Sequence, residues 1–192
     1  MSDTINVALI YGSVRDGRYC DTVAKWARAQ IAAHTEFSMK IIDPAELTLP
    51  TRMTRNEAGD LDKLKEQIGN ADAFVIVTPE YNHGYPAALK HLIDSVYGEW
   101  QAKPVAFVSY GAASGGLRAV EQLRQVFAEL HIASMRNTVS FVNVWEQFDE
   151  YGRLHAPERP EKAMTMMLAQ LQWWAIALKN ARAQTAYDAV AT

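Results

Sequence analysis

The residues best placed to do chemistry form the loop Gly12-Ser13-Val14-Arg15-Asp16-Gly17-Arg18. An apolar run, Val7-Ala8-Leu9-Ile10-Tyr11, precedes it, and Val23, Ala24, Ala27 and Ile31 follow at helical spacing. A strand, a compact polar loop and a helix start make a seat for an anion. The free N–H groups of the helix and the positive end of its dipole face the loop. Ser13 adds a hydroxyl, and Arg15 and Arg18 add guanidinium forks suited to phosphate oxygens. Taken alone, the same loop is also an ordinary strand-to-helix turn with solvated arginines. No Gly-Lys-Ser/Thr follows, and the glycines are not spaced Gly-x-Gly-x-x-Gly. The loop therefore points to a phosphate but not to the standard triphosphate or dinucleotide sites.

Two further loops follow apolar runs in the same way. One is Thr78-Pro79-Glu80-Tyr81-Asn82-His83-Gly84, and the other begins Ser109-Tyr110-Gly111 and ends at Gly115-Gly116. Glu80 is the only carboxylate of the three loops apart from Asp16, and its expected role is structural, orienting a neighbouring loop or subunit. Cys20 has two readings, a thiol of lowered pKa at a helix N-terminus or a small packing residue that offers its backbone N–H. His83 stands beside a substrate or on a surface loop. The five histidines (34, 83, 91, 131 and 155) lack metal-type spacing, so no metal site is assigned. No Gly-x-Ser-x-Gly elbow is present, which argues against a hydrolase. No side chain is assigned as catalytic.

These loops must be carried by a frame. At 192 residues and 49% hydrophobic content the chain reads as one domain, spanning 1–192, with a substantial core. A net charge of −3 leaves no basic field for nucleic acid. The single cysteine excludes an internal disulfide and fits a reducing cytosol, so a cytoplasmic location is expected. The first residues do not read as a signal peptide, and no apolar run is long enough for a membrane span.

Strands are predicted at 7–11, 37–42, 73–77 and 105–109, with a last one within 132–144 that Arg136 and Asn137 interrupt. Helices are predicted after the first strand, at 61–68, from 88, from 117 to 130, and at 161–182. Residues 44–59 read as an irregular connection. The strands are almost continuously apolar, which predicts a parallel sheet covered on both faces. Five strands in an α/β protein give the doubly wound order 2-1-3-4-5, with the ligand cleft beyond strands 1 and 3 where the winding reverses. All three loops leave carboxyl ends there.

Gly12-Ser13-Val14-Arg15 together with Pro79-Glu80-Tyr81-Asn82 resembles the NADPH-dependent FMN reductase family. The resemblance implies a flavodoxin-like three-layer sandwich, FMN and NADPH as cofactors, and quinone, azo, metal-ion or flavin acceptors. It also implies that Ser13, Arg15 and the first helical turn hold the FMN phosphate. The Pro79–Asn82 loop would then border the isoalloxazine ring, and the loop from Ser109 would close its other side. The residues themselves agree, since such a ring needs a flat wall and backbone donors. Tyr81 offers a stacking face, and Tyr110 with Gly111 allows close backbone approach. Arg18 and Cys20 depart from the family pattern. Arg18 either strengthens phosphate binding or meets the NADPH 2′-phosphate.

The alternatives are a flavodoxin-like electron carrier without intrinsic NAD(P)H reductase activity, and a flavin-free interaction protein. On assembly, Met166, Trp173 and Ile176 lie off the main apolar stripe of the last helix, and Val96, Tyr97 and Trp100 follow the flavin loop. A homodimer or homotetramer with its interface near the flavin is expected.

Overall fold

The alternation of strands and helices is realised in a computed structural model that describes residues 4–50 and 59–190. The elements are β1 (Ile5–Tyr11), α1 (Cys20–Ala32), β2 (Phe37–Ile42), α2 (Leu61–Gly69), β3 (Ala73–Pro79) and α3 (Ala87–Asp94). They continue as β4 (Pro104–Tyr110), α4 (Leu117–Glu129), β5 (Ala133–Ser134), β6 (Val139–Phe141) and α5 (Glu158–Gln184). The strands form one parallel sheet of order β2-β1-β3-β4-β5, and β6 also pairs with β4. Helices cover both faces, which is the flavodoxin-like sandwich.

The two-residue period of a strand divides the core. Val7, Leu9, Val75, Val77, Ala106 and Val108 face α1 and α5, while Ala8, Ile10, Phe74, Ile76, Val105 and Phe107 face α2, α3 and α4. Every residue of β3 and β4 is buried. That burial is why these strands read as unbroken apolar runs rather than alternating ones.

Two elements differ from expectation, while the last strand is interrupted at Arg136 and Asn137 as expected and its two short pieces both run parallel to β4. Between them Arg124 of α4 donates from Nη1 to the Met135 carbonyl at 2.6 Å and from Nη2 to the Arg136 carbonyl at 3.1 Å. A side chain thus satisfies carbonyls that a continuous ladder would otherwise occupy. The last helix starts earlier, at Glu158, because Pro160 falls in its first turn, where a missing N–H costs nothing. Val96 and Trp100 are buried rather than available to a partner. Trp100 packs against Phe74 at 4.7 Å and Phe127 at 5.7 Å between ring centroids, leaving Tyr97 exposed. Within the connection expected at 44–59, a 3₁₀ turn at Pro44–Glu46 is capped by Asp43, and residues 51–58 lie outside the described residues.

Candidate active site

The register decides where the loops meet. Tyr11 is level with Val77, and Pro79 is level with Tyr110, so β1, β3 and β4 end side by side. At the end of β1 the Gly12 N–H donates to the Val77 carbonyl at 2.8 Å, and a Cβ on Gly12 would lie 2.8 Å from that oxygen. Only glycine permits this approach.

Ser13 is fully buried beneath the loop. Its Oγ accepts the Arg15 N–H at 3.3 Å and lies 2.8 Å from the Tyr81 hydroxyl, which ties the first loop to the second. Arg15 is exposed and makes no ion pair among the described residues. Beyond it α1 begins without a side-chain cap at Tyr19, which leaves first-turn N–H groups facing the loop.

Arg18 behaves differently from Arg15. Its guanidinium pairs with both oxygens of Asp43, bonds Asp21 at 2.9 Å, donates to the Ser13 carbonyl and lies 5.3 Å from the Tyr11 ring centroid. The hydrogen bond to Asp43 drives its pKa further up, so it is a permanent cation already matched by anions. This corrects the expectation that Arg18 reaches a phosphate: it braces the loop from behind. Asp43, its partner, escaped the sequence reading because nothing local marks it beyond the end of a strand. Cys20 is wholly buried, its Sγ 3.7 Å from the Val77 carbonyl, and burial pushes the thiol pKa up rather than down. It is a packing residue.

The second loop closes on itself. Tyr81 and Gly84 exchange backbone hydrogen bonds of 2.9 and 3.0 Å around Asn82 (φ 50°) and His83 (φ 68°), a tight turn with two left-handed residues. Neither the Asn82 nor the His83 N–H has an acceptor among the described residues. Both are available to a ligand. Glu80 lines the cleft, but its carboxylate is taken up by the third loop and the start of α4. Its carboxylate accepts the Ser114 hydroxyl at 2.7 Å, the Arg118 N–H at 3.1 Å and the Arg118 guanidinium at 2.7 Å. Burial alone would raise its pKa, but these three bonds outweigh it and hold the carboxyl below the usual range. Glu80 therefore clamps the second loop to the third, the structural role read for it from sequence.

In the third loop two expectations are corrected. The Tyr110 ring is buried in the core beside Cys20, where desolvation pushes its hydroxyl pKa upward, so it offers no face to the opening. Tyr110 is the last residue of β4, and the two-residue period sends it inward. The Ser109 hydroxyl is likewise buried and donates to the Gly115 carbonyl at 2.8 Å, folding the loop back on itself. Gly111 donates to Phe141 and accepts from Val144, so its backbone joins the loop to β6 and the chain after it.

Between the first two loops and the start of α3 lies an open cleft of about 610 Å³, lined by Val14, Arg15, Glu80, Tyr81, Asn82 and Pro86–Ala88. That volume is in the range of small-molecule sites. A smaller cavity of about 310 Å³, lined by β1, β2 and α2, lacks an aromatic wall and lies away from the three loops.

The profile of the NADPH-dependent FMN reductases matches residues 5–146, which include all three loops. The chain belongs to that family. It is accordingly an oxidoreductase, of the kind that couples NAD(P)H to FMN. An NAD(P)H-dependent FMN reductase of Schizosaccharomyces pombe is 36% identical over 144 residues, covering 68% of this chain and 70% of that protein. A quinone reductase of Pseudomonas putida is 32% identical over 169 residues, covering 83% and 90%. Among solved structures, the flavoenzyme NAD(P)H:(acceptor) oxidoreductase FerB of Paracoccus denitrificans superposes with a TM-score of 0.73. It is 21% identical and covers 91% of this chain and 98% of its own, a likeness of fold. The family match ends at residue 146, before α5.

Proposed function

We propose that this FMN reductase family member binds FMN in the cleft between Arg15 and Tyr81 and passes reducing equivalents from NAD(P)H to a small acceptor. The acceptor is a quinone, an azo compound, an oxidised metal ion or a free flavin. The reading rests on one observation above all: Arg15 stands unpaired at the mouth of a cleft beside an uncapped helix N-terminus. Arg18 and Glu80, by contrast, already have partners.

The residues present fit the group. A phosphate monoester finds Arg15, the Ser13 loop and the α1 N–H groups. The polar edge of a flat ring finds the free Asn82 and His83 amides, with Tyr81 and the Pro86–Ala88 backbone as the apolar wall. When bound, FMN supplies hydride acceptance and delivery. The protein orients the ring, holds its charge and keeps water from the covered face. Glu80 holds the two loops at fixed spacing, and Arg18 with Asp43 holds the first loop in shape. We assign the working protein more than one copy of the chain.

The decisive experiment is the visible spectrum of the purified protein with added FMN, before and after NADPH without air. Flavin absorbance that bleaches on NADPH, followed by recovery with a quinone, is the expected result. A flavin-loaded protein that NADPH alone does not bleach would instead be an electron carrier. A colourless protein that takes up no FMN would overturn the cofactor assignment itself.

A further inference from the structure

The turn that offers the Asn82 and His83 amides is built against the ordinary preference of its backbone. Both central residues have positive φ, 50° at Asn82 and 68° at His83, and neither is glycine. A left-handed backbone is disfavoured for any residue with a β-carbon, although Asn and His tolerate it better than most. Two such residues in succession, at the edge of a ligand cleft, persist only where the surroundings hold them.

The hydrogen bonds show what is held and what is left free. Tyr81 and Gly84 bond to each other across the turn, and the His83 carbonyl accepts from Gln122 Nε2 at 2.9 Å. The Asn82–His83 peptide at the tip has neither its N–H nor its carbonyl bonded among the described residues. Gln122 lies one helical turn beyond Arg118 on the same side of α4. The helix therefore grips the second loop at two points. Arg118 holds Glu80 at the base of the loop at 2.7 Å, and Gln122 holds His83 at its tip. Gly84 makes room for the second grip, since a Cβ there would lie 3.0 Å from Gln122 Oε1. Gln122 does not line the cleft itself, so whatever it does for a ligand it does through the turn.

We propose that Gln122 is a positioning residue for the cofactor: by holding the His83 carbonyl against α4, it aims the Asn82 and His83 N–H groups at the polar edge of the ring. The inference rests on the FMN reading above and names the residue that keeps those donors in place. Donors already oriented need no reorganisation when negative charge grows on the group they face. The grip therefore favours the reduced ring more than the oxidised one. Once it is lost, the turn is free to move and its N–H groups are shared with water, so affinity and reduction potential fall together.

Fluorescence titration of FMN and the midpoint potential of the bound flavin test this on the full chain, with circular dichroism as the control for folding. Gln122→Ala binds oxidised FMN roughly three- to tenfold more weakly, the range expected for one neutral hydrogen bond. Its potential falls by about 14 mV, the equivalent of a further threefold loss for the reduced ring in a two-electron couple. Gln122→Glu, which keeps the shape but has no N–H to donate, behaves in the same way. Without flavin, the Gly84 amide exchanges faster in both variants, because its bond to the Tyr81 carbonyl belongs to the turn being held. Gly84→Ala reproduces the loss of affinity and adds little to Gln122→Ala, since both remove one contact. A wild type that takes up no FMN overturns the FMN reading and this inference with it. A flavin-loaded wild type whose affinity and potential are unchanged in Gln122→Ala overturns the inference alone. So does Gln122→Glu with wild-type values, which would make the side chain a packing group, or an unchanged Gly84 exchange rate.

Discussion

Two arginines separated by two residues have opposite fates in this protein. Arg18 is surrounded by Asp43, Asp21 and the Ser13 carbonyl, while Arg15 is exposed with no ion pair. Arg15→Ala is therefore expected to weaken FMN binding roughly ten- to hundredfold, since a charge-assisted phosphate contact contributes about 1.5–3 kcal/mol. Fluorescence titration of flavin measures it, and an unchanged dissociation constant would remove the anchor. Asp43→Ala is a different kind of lesion. It frees the Arg18 guanidinium and lets the loop relax, so FMN affinity and thermal stability are expected to fall together. From the sequence, Arg15 was read as an FMN phosphate ligand and Arg18 as either a second one or a contact for the NADPH 2′-phosphate; the difference arises from Asp43, which reaches Arg18 only through the pairing of β1 with β2.

The elements are joined by a few polar contacts whose removal has local effects. Glu80 links the end of β3 to the start of α4 through Ser114 and Arg118. Glu80→Ala is expected to cost roughly 1–2 kcal/mol, discounted because Arg118 is half exposed, and to speed amide exchange over 111–118. Lys103 is the corresponding contact at the other end of the sheet. Its Nζ donates to the Ile68 and Gly69 carbonyls at 2.7 and 2.9 Å, closing the C-terminus of α2. Burial lowers its pKa from the ordinary 10.5 to about 8. Between those two values the unfolded chain holds a proton that the folded chain has released. Stability from this residue therefore rises as pH increases from about 8 to 10.5. Urea midpoints across that range are expected to climb more steeply for wild type than for Lys103→Met. Equal slopes would remove Lys103 as the cause. The α2 stop was legible as Gly69-Asn70, but nothing near Lys103 in sequence pointed to those carbonyls.

At the scale of the molecule, α5 is held along its length by the core and near its end by one acid. Asp72, just before β3, accepts Lys179 at 2.9 Å, Arg182 at 3.5 Å and the Asn6 N–H at 3.0 Å. Asp72→Ala would leave the Asn6 amide without its acceptor and the two cations with only the Thr4 and Ala102 carbonyls as partners. A loss of roughly 3 kcal/mol is expected, together with faster amide exchange over the last turns of α5, followed by denaturant unfolding and hydrogen exchange. A loss confined to the helix end without any change in the unfolding midpoint would show that α5 is held by its apolar face alone.

Strand and helix identity and the sheet order were readable from the order of residues, because apolar periodicity and turn chemistry are local, and the family was readable through the resemblance of two loop motifs. Which side chains enter the cleft was not. Tyr110, Ser109, Arg18 and Cys20 turn inward because of strand parity and partners distant in sequence, and Arg15 is left exposed without an ion pair among the described residues. Local chemistry sets what each segment can be, and only packing decides which of its groups remain unsatisfied.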